Sequence, residues 1–430
     1  MAQTAYANDW VDPDYILAKN FGPHTARSQA QIILWAHKLA IGGPWSVMNK
    51  TFTPPSGNNH DYMSLAPSTP SSFWWPDCAG VGNTTVLTEQ QVWTTCPYKQ
   101  RDGQFNPDAR TVNNVGDFQD MSEAVFYNTM AWVLNTDPYE RGTFEFNADE
   151  TKMNPNMNFA QMKRGPEGQI GYRAGILDLK GMVKISNAIL MLRKGKASSG
   201  RTNLIIRCEL GQRSTRIGSR PLTWDRKKGR PPSNSTSFKP LAALKILNND
   251  LSGAKATSDA FFNTLFMDQI TSKGEQPLEA IRTRPYHYRA YNLAALVTNA
   301  RLAHHADRTS NIWNKTTKDG ANIKSALDFA MTVPAGDSGE SKYASELHPI
   351  VAAAAAVYGD SDSKYLAYMK KENPLFIFWT GFHVITPSTN QNNANGKTSG
   401  AVLSSKLSGL GLWKRMVWVT ALAGVVTRRL

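Results

Sequence analysis

Several chemistries are excluded by what the sequence lacks. No GxxxxGK[ST], GxGxxG or GxSxG occurs, so neither a phosphate-cradling glycine loop nor a nucleophile elbow is present. The eight histidines and three cysteines form no Cys/His or His-x3-His ligand set. His304 and His305 are adjacent and cannot both point to one side of a helix. No run of apolar residues follows the N-terminus, and the longest late one, Met416–Val426, is too short to span a bilayer. The expectation is no membrane partner, and either a cytosolic chain or a leader lying outside this sequence. No repeat recurs at a fixed period.

Acidic charge is also scarce. The net charge is +14 in 430 residues, but Arg193–Arg230 carries 12 Lys/Arg against Glu209 and Asp225. That one segment holds +10, leaving +4 for the rest. Its only interleaved aromatic is Trp224, which disfavours nucleic-acid binding against a solvated basic run. Cys78 and Cys96, 18 apart in a loop-like region, are disulfide candidates if the chain is secreted and free thiols otherwise. Asn49, Asn83, Asn234 and Asn314 each head a glycosylation triplet, a pattern that also arises by chance.

What is present is mostly helical periodicity. Apolar spacing predicts helices over Ser28–Ile41, Asp117–Leu134, Ile176–Leu192, Leu241–Leu247, Ala260–Ile270, Tyr286–Ala303, Ile323–Met331, Ile350–Tyr358 and Tyr365–Lys371. One or two helical turns are expected within Leu87–Thr94, and Pro44–Cys78 reads as irregular. Strand alternation is weak everywhere, with Leu375–Ile385 the best candidate. The expected fold is all-α: an incomplete (α/α) toroid with a central cleft, with a solenoid as the structural alternative. Residues 1–375 are expected to form it, with 193–239 an anomalous basic insert and 376–430 a low-complexity linker and tail.

The stretch Pro277–Ala306 stands out. Arg282, Arg284, His287, Tyr288, Arg289 and Tyr291 crowd its start, and alanines and leucines fill the rest. Pro285 suits the first turn of a helix, where a missing N–H costs little. This is either a core helix with tyrosine anchors or a helix whose beginning faces a cleft. Two further clusters, Gly57–Ser64 and Met153–Arg164, also mix amides, cations and aromatics. Sugars are held by such sets, and a uronate carboxylate suits an arginine fork. Single-stranded nucleic acid uses similar residue types.

The motifs resemble those of fungal alginate lyase-like polysaccharide lyases. They are Gly57-Asn-Asn-His-Asp-Tyr-Met-Ser64 with Trp74-Trp-Pro-Asp77, Arg101-Asp-Gly-Gln-Phe-Asn-Pro-Asp108, Met153-Asn-Pro-Asn-Met-Asn-Phe-Ala-Gln161, Leu177-Asp-Leu-Lys180 and Arg282-Thr-Arg-Pro-Tyr-His-Tyr-Arg-Ala-Tyr-Asn292. The resemblance implies an all-α toroid and β-elimination on an acidic polysaccharide, with no metal or other cofactor. It implies Tyr288 as the proton carrier, with Arg282, and then Arg284, facing the uronate carboxylate. It further implies substrate contacts from His60, Tyr62, Trp74, Trp75, Asn156, Asn158, Gln161, His287 and Tyr291, and an extracellular setting. The chain is expected to act as a monomer.

The sequence also departs from that pattern. The expected Asn-Asn-His-Gly before Leu241 reads Pro232-Ser-Asn-Ser-Thr-Ser-Phe238, and a Gly-Thr-His-Thr-Gly loop reads Gly171-Tyr-Arg-Ala-Gly175. Both expected histidines are missing. Arg193–Lys239 has the composition of an out-of-frame or mis-spliced stretch, which an intact transcript encoding the same residues would refute. The expectation is therefore a polyuronate lyase of weak or absent turnover, or else a non-catalytic carbohydrate-binding relative.

Overall fold

The computed structural model describes residues 9–21, 26–42, 74–88, 91–92, 95–101, 104, 114–135, 180–195 and 238–372. Contacts divide the chain into Met1–Pro387 and Ser388–Leu430, and every described residue lies in the first unit. The regular structure of the described residues is almost entirely helical: α1 (Pro13–Ala18), α2 (Ala26–Gly42), α3 (Asn114–Leu134), α4 (Met182–Lys194), α5 (Phe238–Leu247), α6 (Leu251–Phe262), α7 (Pro277–Ala280), α8 (Pro285–Ala306), α9 (Ile323–Ala330), α10 (His348–Tyr358) and α11 (Lys364–Glu372). The fold is all-α, as expected. Helices pack largely in chain order: α2 on α3, α3 on α4, α4 on α5, α5 on α6, then α6 on α8.

Several elements differ from the sequence reading. The helix expected over Ala260–Ile270 is two pieces, because α6 ends at Phe262 and a 3₁₀ turn, Leu265–Asp268, follows. α6 itself starts at Leu251, where the Asp250 carboxylate accepts the Gly253 N–H at 2.9 Å. Trp74–Pro76, read as irregular, is a strand (β1) paired antiparallel with Tyr98–Gln100 (β2), Trp75 opposite Lys99. Cys78 and Cys96 are joined in a disulfide just beyond this ladder. Two three-residue strands bury too little to persist alone, so the crosslink supports the pairing. Within Leu87–Thr94 the described residues at 91–92 are helical, and a 3₁₀ turn, Thr84–Val86, precedes the region. Leu375–Ile385 lies outside the described residues.

α8 is the axis of the C-terminal half. Every residue from Asn292 to Ala303 is buried, as for a helix with neighbours all round. Its alanines let those neighbours approach closely. Thr298 and Asn299 donate back to the Ala294 and Ala295 carbonyls at 2.9 and 3.0 Å.

The N-terminal segment is tied to four helices by buried charge. Asp9 accepts Lys239 of α5 at 2.6 Å and lies 3.6 Å from Lys184 of α4, which in turn meets Glu123 of α3 at 3.0 Å. Val11 and the Asn187 side chain exchange two hydrogen bonds at 3.0 and 2.8 Å, and Arg301 of α8 donates to the Trp10 carbonyl at 3.2 Å. Burial holds the Lys239 ammonium below its ordinary range, with Asp9 opposing. Both ends of the anomalous basic segment are thus built into helices. Lys239 is 1% exposed, and Arg193 donates to the Leu247 carbonyl at 2.7 Å.

His305 packs edge-on against Trp10, ring centroids 5.2 Å apart. Burial, with Arg308 adding to it and Asp12 opposing, pulls its pKa from 6.5 to about 4. The folded state therefore refuses a proton that the unfolded chain accepts. Stability is full above pH 6.5, falls as the pH drops from 6.5 towards about 4, and levels off below that. The loss is at most about 3 kcal/mol. Urea titrations across this range are expected to show the slope in the wild type and a flatter profile in His305→Gln. An unchanged slope in the variant would show that another group is responsible.

Candidate active site

The start of α8 gathers the charged and aromatic groups. Arg284 is its N-cap and Pro285 occupies the first turn. Arg282 lies just before it, with its guanidinium carbon 3.8 Å from the Tyr288 ring centroid. Its ion pair to the buried Glu279 is long, at 3.8 Å. Arg289, by contrast, is locked in a fork on Glu275, with Nε at 2.8 Å and Nη2 at 2.7 Å. Gly274 precedes Glu275 in a tight turn. Its φ of +88° turns the chain against α9, where a side chain would strike the Ser325 carbonyl.

A second segment packs against this start. Ser341–Leu347 is a 3₁₀ helix preceded by Glu340. The buried Glu340 carboxylate accepts the Tyr286 N–H and the His287 N–H, each at 3.0 Å, and the Ser338 hydroxyl at 2.7 Å. It satisfies two donors that a helix start leaves unpaired and complements the dipole there. Tyr343 accepts from Arg284 Nη1 at 3.0 Å, and its ring lies 4.8 Å from that of His287. Glu346 Oε2 is 2.8 Å from His287 Nδ1. Tyr286 is buried and donates to the Ala344 carbonyl at 2.8 Å. The His287 ring in turn lies 5.2 Å from Tyr288 and 6.1 Å from Tyr291.

Of the residues singled out from the sequence, Arg282, Arg284, His287, Tyr288 and Tyr291 come together here. The contacts of Trp75 are local ones. Its indole N–H donates to the Gln104 carbonyl at 2.9 Å and Arg101 lies 5.3 Å over its ring, both local to the β hairpin. Trp74 is placed by its strand pairing with Gln100. His60, Tyr62, Asn156, Asn158 and Gln161 lie outside the described residues. No group of three or more His, Cys, Asp or Glu side chains suited to a metal occurs among the described residues.

Sequence reasoning missed Glu340, Tyr343 and Glu346. Their signal was a spacing of three. In a 3₁₀ helix, residues i and i+3 eclipse, so an E-x-x-Y-x-x-E run places all three on one face.

The alginate lyase family model matches residues 46–340, more than two thirds of the chain. The chain belongs to the alginate lyase family. The match spans both the hairpin and the Arg282–Tyr291 cluster. Among solved structures, an alginate lyase from Bacteroides ovatus superposes with a TM-score of 0.66 at 22% identity, covering 90% of this chain and all of that one. That likeness is one of fold. No curated protein matches the chain significantly. The family supports a polysaccharide lyase acting on an acidic polysaccharide. No helix among the described residues is long and apolar enough to cross a membrane.

Proposed function

We propose that this member of the alginate lyase family cleaves a polyuronate, alginate or a glucuronan-like polymer, by β-elimination at the start of α8. The observation that carries the reading is the Arg282 guanidinium 3.8 Å from the Tyr288 ring. A cation in that position favours the phenolate and lowers the cost of moving a proton through the phenol. A guanidinium is also the side chain best suited to a uronate carboxylate.

In the reaction, the carboxylate at C5 is met by Arg282, with Arg284 beside it. Negative charge developing as the C5 proton leaves is then stabilised. Tyr288 takes that proton as a base and, as an acid, gives one to the glycosidic oxygen. The C4–O bond breaks and a C4–C5 double bond forms. Tyr291 and His287 line the sugar. His60, Tyr62, Asn156, Asn158, Gln161 and the Trp74-Trp75 pair are assigned to binding the rest of the polymer. The reading includes an extracellular, glycosylated protein. The Cys78–Cys96 disulfide supports that setting, as does the exposed Asn83, whose Oδ1 accepts the Thr85 hydroxyl at 2.6 Å.

A second reading is favoured by the absent Asn-Asn-His-Gly motif: a relative that binds polyuronate without cleaving it. Absorbance of unsaturated uronate separates the two when the protein is mixed with alginate or glucuronan. Slow growth is expected. Tight binding without growth would overturn the lyase reading in favour of the second.

A further inference from the structure

We propose that Glu346, backed by Glu340 on the same 3₁₀ segment, is a positioning residue for the reaction centre, acting through His287. The inference rests on the lyase reading for its chemical consequence and on the geometry alone for its structural part. His287 is held twice by one short stretch of chain. Glu340 fixes its backbone N–H at 3.0 Å, and Glu346 fixes its ring at 2.8 Å. An ionised carboxylate only accepts hydrogen bonds, so the ring nitrogen facing it, Nδ1, carries the proton whether the imidazole is neutral or charged. Nε2 is then the atom left for substrate. In the neutral ring it is an acceptor for a sugar hydroxyl, and in the charged ring a donor to a carboxylate. The side chains of His287 and Glu346 are 21% and 20% exposed, so the pair is partly open to solvent and not sealed in the core.

The setting explains why an orienting partner is needed. Tyr288, Tyr291 and Tyr343 stand around the imidazole at ring distances of 5.2, 6.1 and 4.8 Å. Arg282 lies over Tyr288, while Arg284 and Lys342 lie over Tyr343 at 5.8 and 5.0 Å. Aromatic walls alone leave an imidazole free to flip about its χ2 torsion, exchanging its two nitrogens. The carboxylate removes that freedom. The family motif expected to bring a histidine to this centre is missing from the sequence. His287 is a histidine that the structure places beside Tyr288, with a carboxylate behind it.

Two measurements on the full chain test this. ¹⁵N-imidazole NMR of the wild type is expected to show His287 protonated at Nδ1. The preference should be kept in Glu346→Gln, whose side-chain oxygen still accepts, and lost in Glu346→Ala. A wild-type ring protonated only at Nε2 overturns the proposal whether or not the chain is a lyase. In the absorbance assay, Glu346→Ala is expected to lower kcat about 10- to 100-fold, by analogy with the loss when the orienting partner of a metal-bound histidine is removed. KM should change less than about threefold, with substantial recovery of kcat in Glu346→Gln. Wild-type kcat in Glu346→Ala overturns the positioning role, as does equal loss in both variants. Absence of turnover in the wild type itself is failure of the lyase reading. The NMR result then decides the proposal.

Discussion

Tyr288→Phe is expected to lose elimination activity by roughly 10²- to 10⁴-fold, the span general acid–base groups contribute. One residue is asked both to remove the C5 proton and to supply one to the leaving oxygen, so the upper end is the better expectation. The substitution is clean because phenylalanine keeps the ring. The Arg282 guanidinium still has an aromatic face at 3.8 Å to lie against, and the His287 ring keeps its edge contact. Tyr288 also precedes the fully buried stretch of α8, which begins at Asn292. Thermal stability and polyuronate binding should therefore stay near the wild type while absorbance growth disappears. Full activity in the variant would falsify the assignment of the tyrosine. A parallel collapse of Tm would instead mean that the hydroxyl is structural.

The second large effect is expected at Asp9. Asp9→Ala leaves the Lys239 ammonium, 1% exposed, without the carboxylate that now holds it at 2.6 Å, and takes the more distant anion from Lys184. Removing one partner of a buried pair costs about 3–5 kcal/mol. That is a large share of the roughly 5–15 kcal/mol that holds a typical domain folded. Chemical denaturation should show it as a drop in midpoint at unchanged slope. The double variant Asp9→Leu with Lys239→Met should lose much less than the sum of the single variants, because no charge is then left unpaired. A loss below about 1 kcal/mol in Asp9→Ala would mean that water reaches Lys239 and the network is not sealed.

The long helices were legible because apolar residues recur at helical spacing and Pro285 marks a start, and α8 was found almost to its ends. Short elements were not. α1 has six residues, too few for periodicity to register. α6 carries Gly253, Ser252 and Thr257, poor helix formers, and its real signal was the Asp250 cap reaching Gly253. The β1–β2 pairing rests on three residues a side, one of them a proline, so alternation had nothing to act on. At the site, Arg282 and Tyr288 were readable because they sit in one contiguous motif. Glu340, Tyr343 and Glu346 were not, because they lie more than fifty residues away and matter only once the chain folds back. Lys239 is the clearest limit of composition. It closes a segment that reads as foreign and yet is among the most buried side chains of the described residues.

The 3₁₀ register of Ser341–Leu347 also bears on how this region can vary in length. Three residues complete a turn, so one residue inserted between Glu340 and Tyr343 swings Tyr343 and Glu346 about 120° away from α8 while leaving Glu340 in place. Three inserted residues restore the facing. Substitutions here are graded injuries, whereas a single insertion or deletion separates the backbone anchor from the ring anchor at a stroke. Descendants of this chain can change many letters between 340 and 346 and keep the site, but they are not free to change the count.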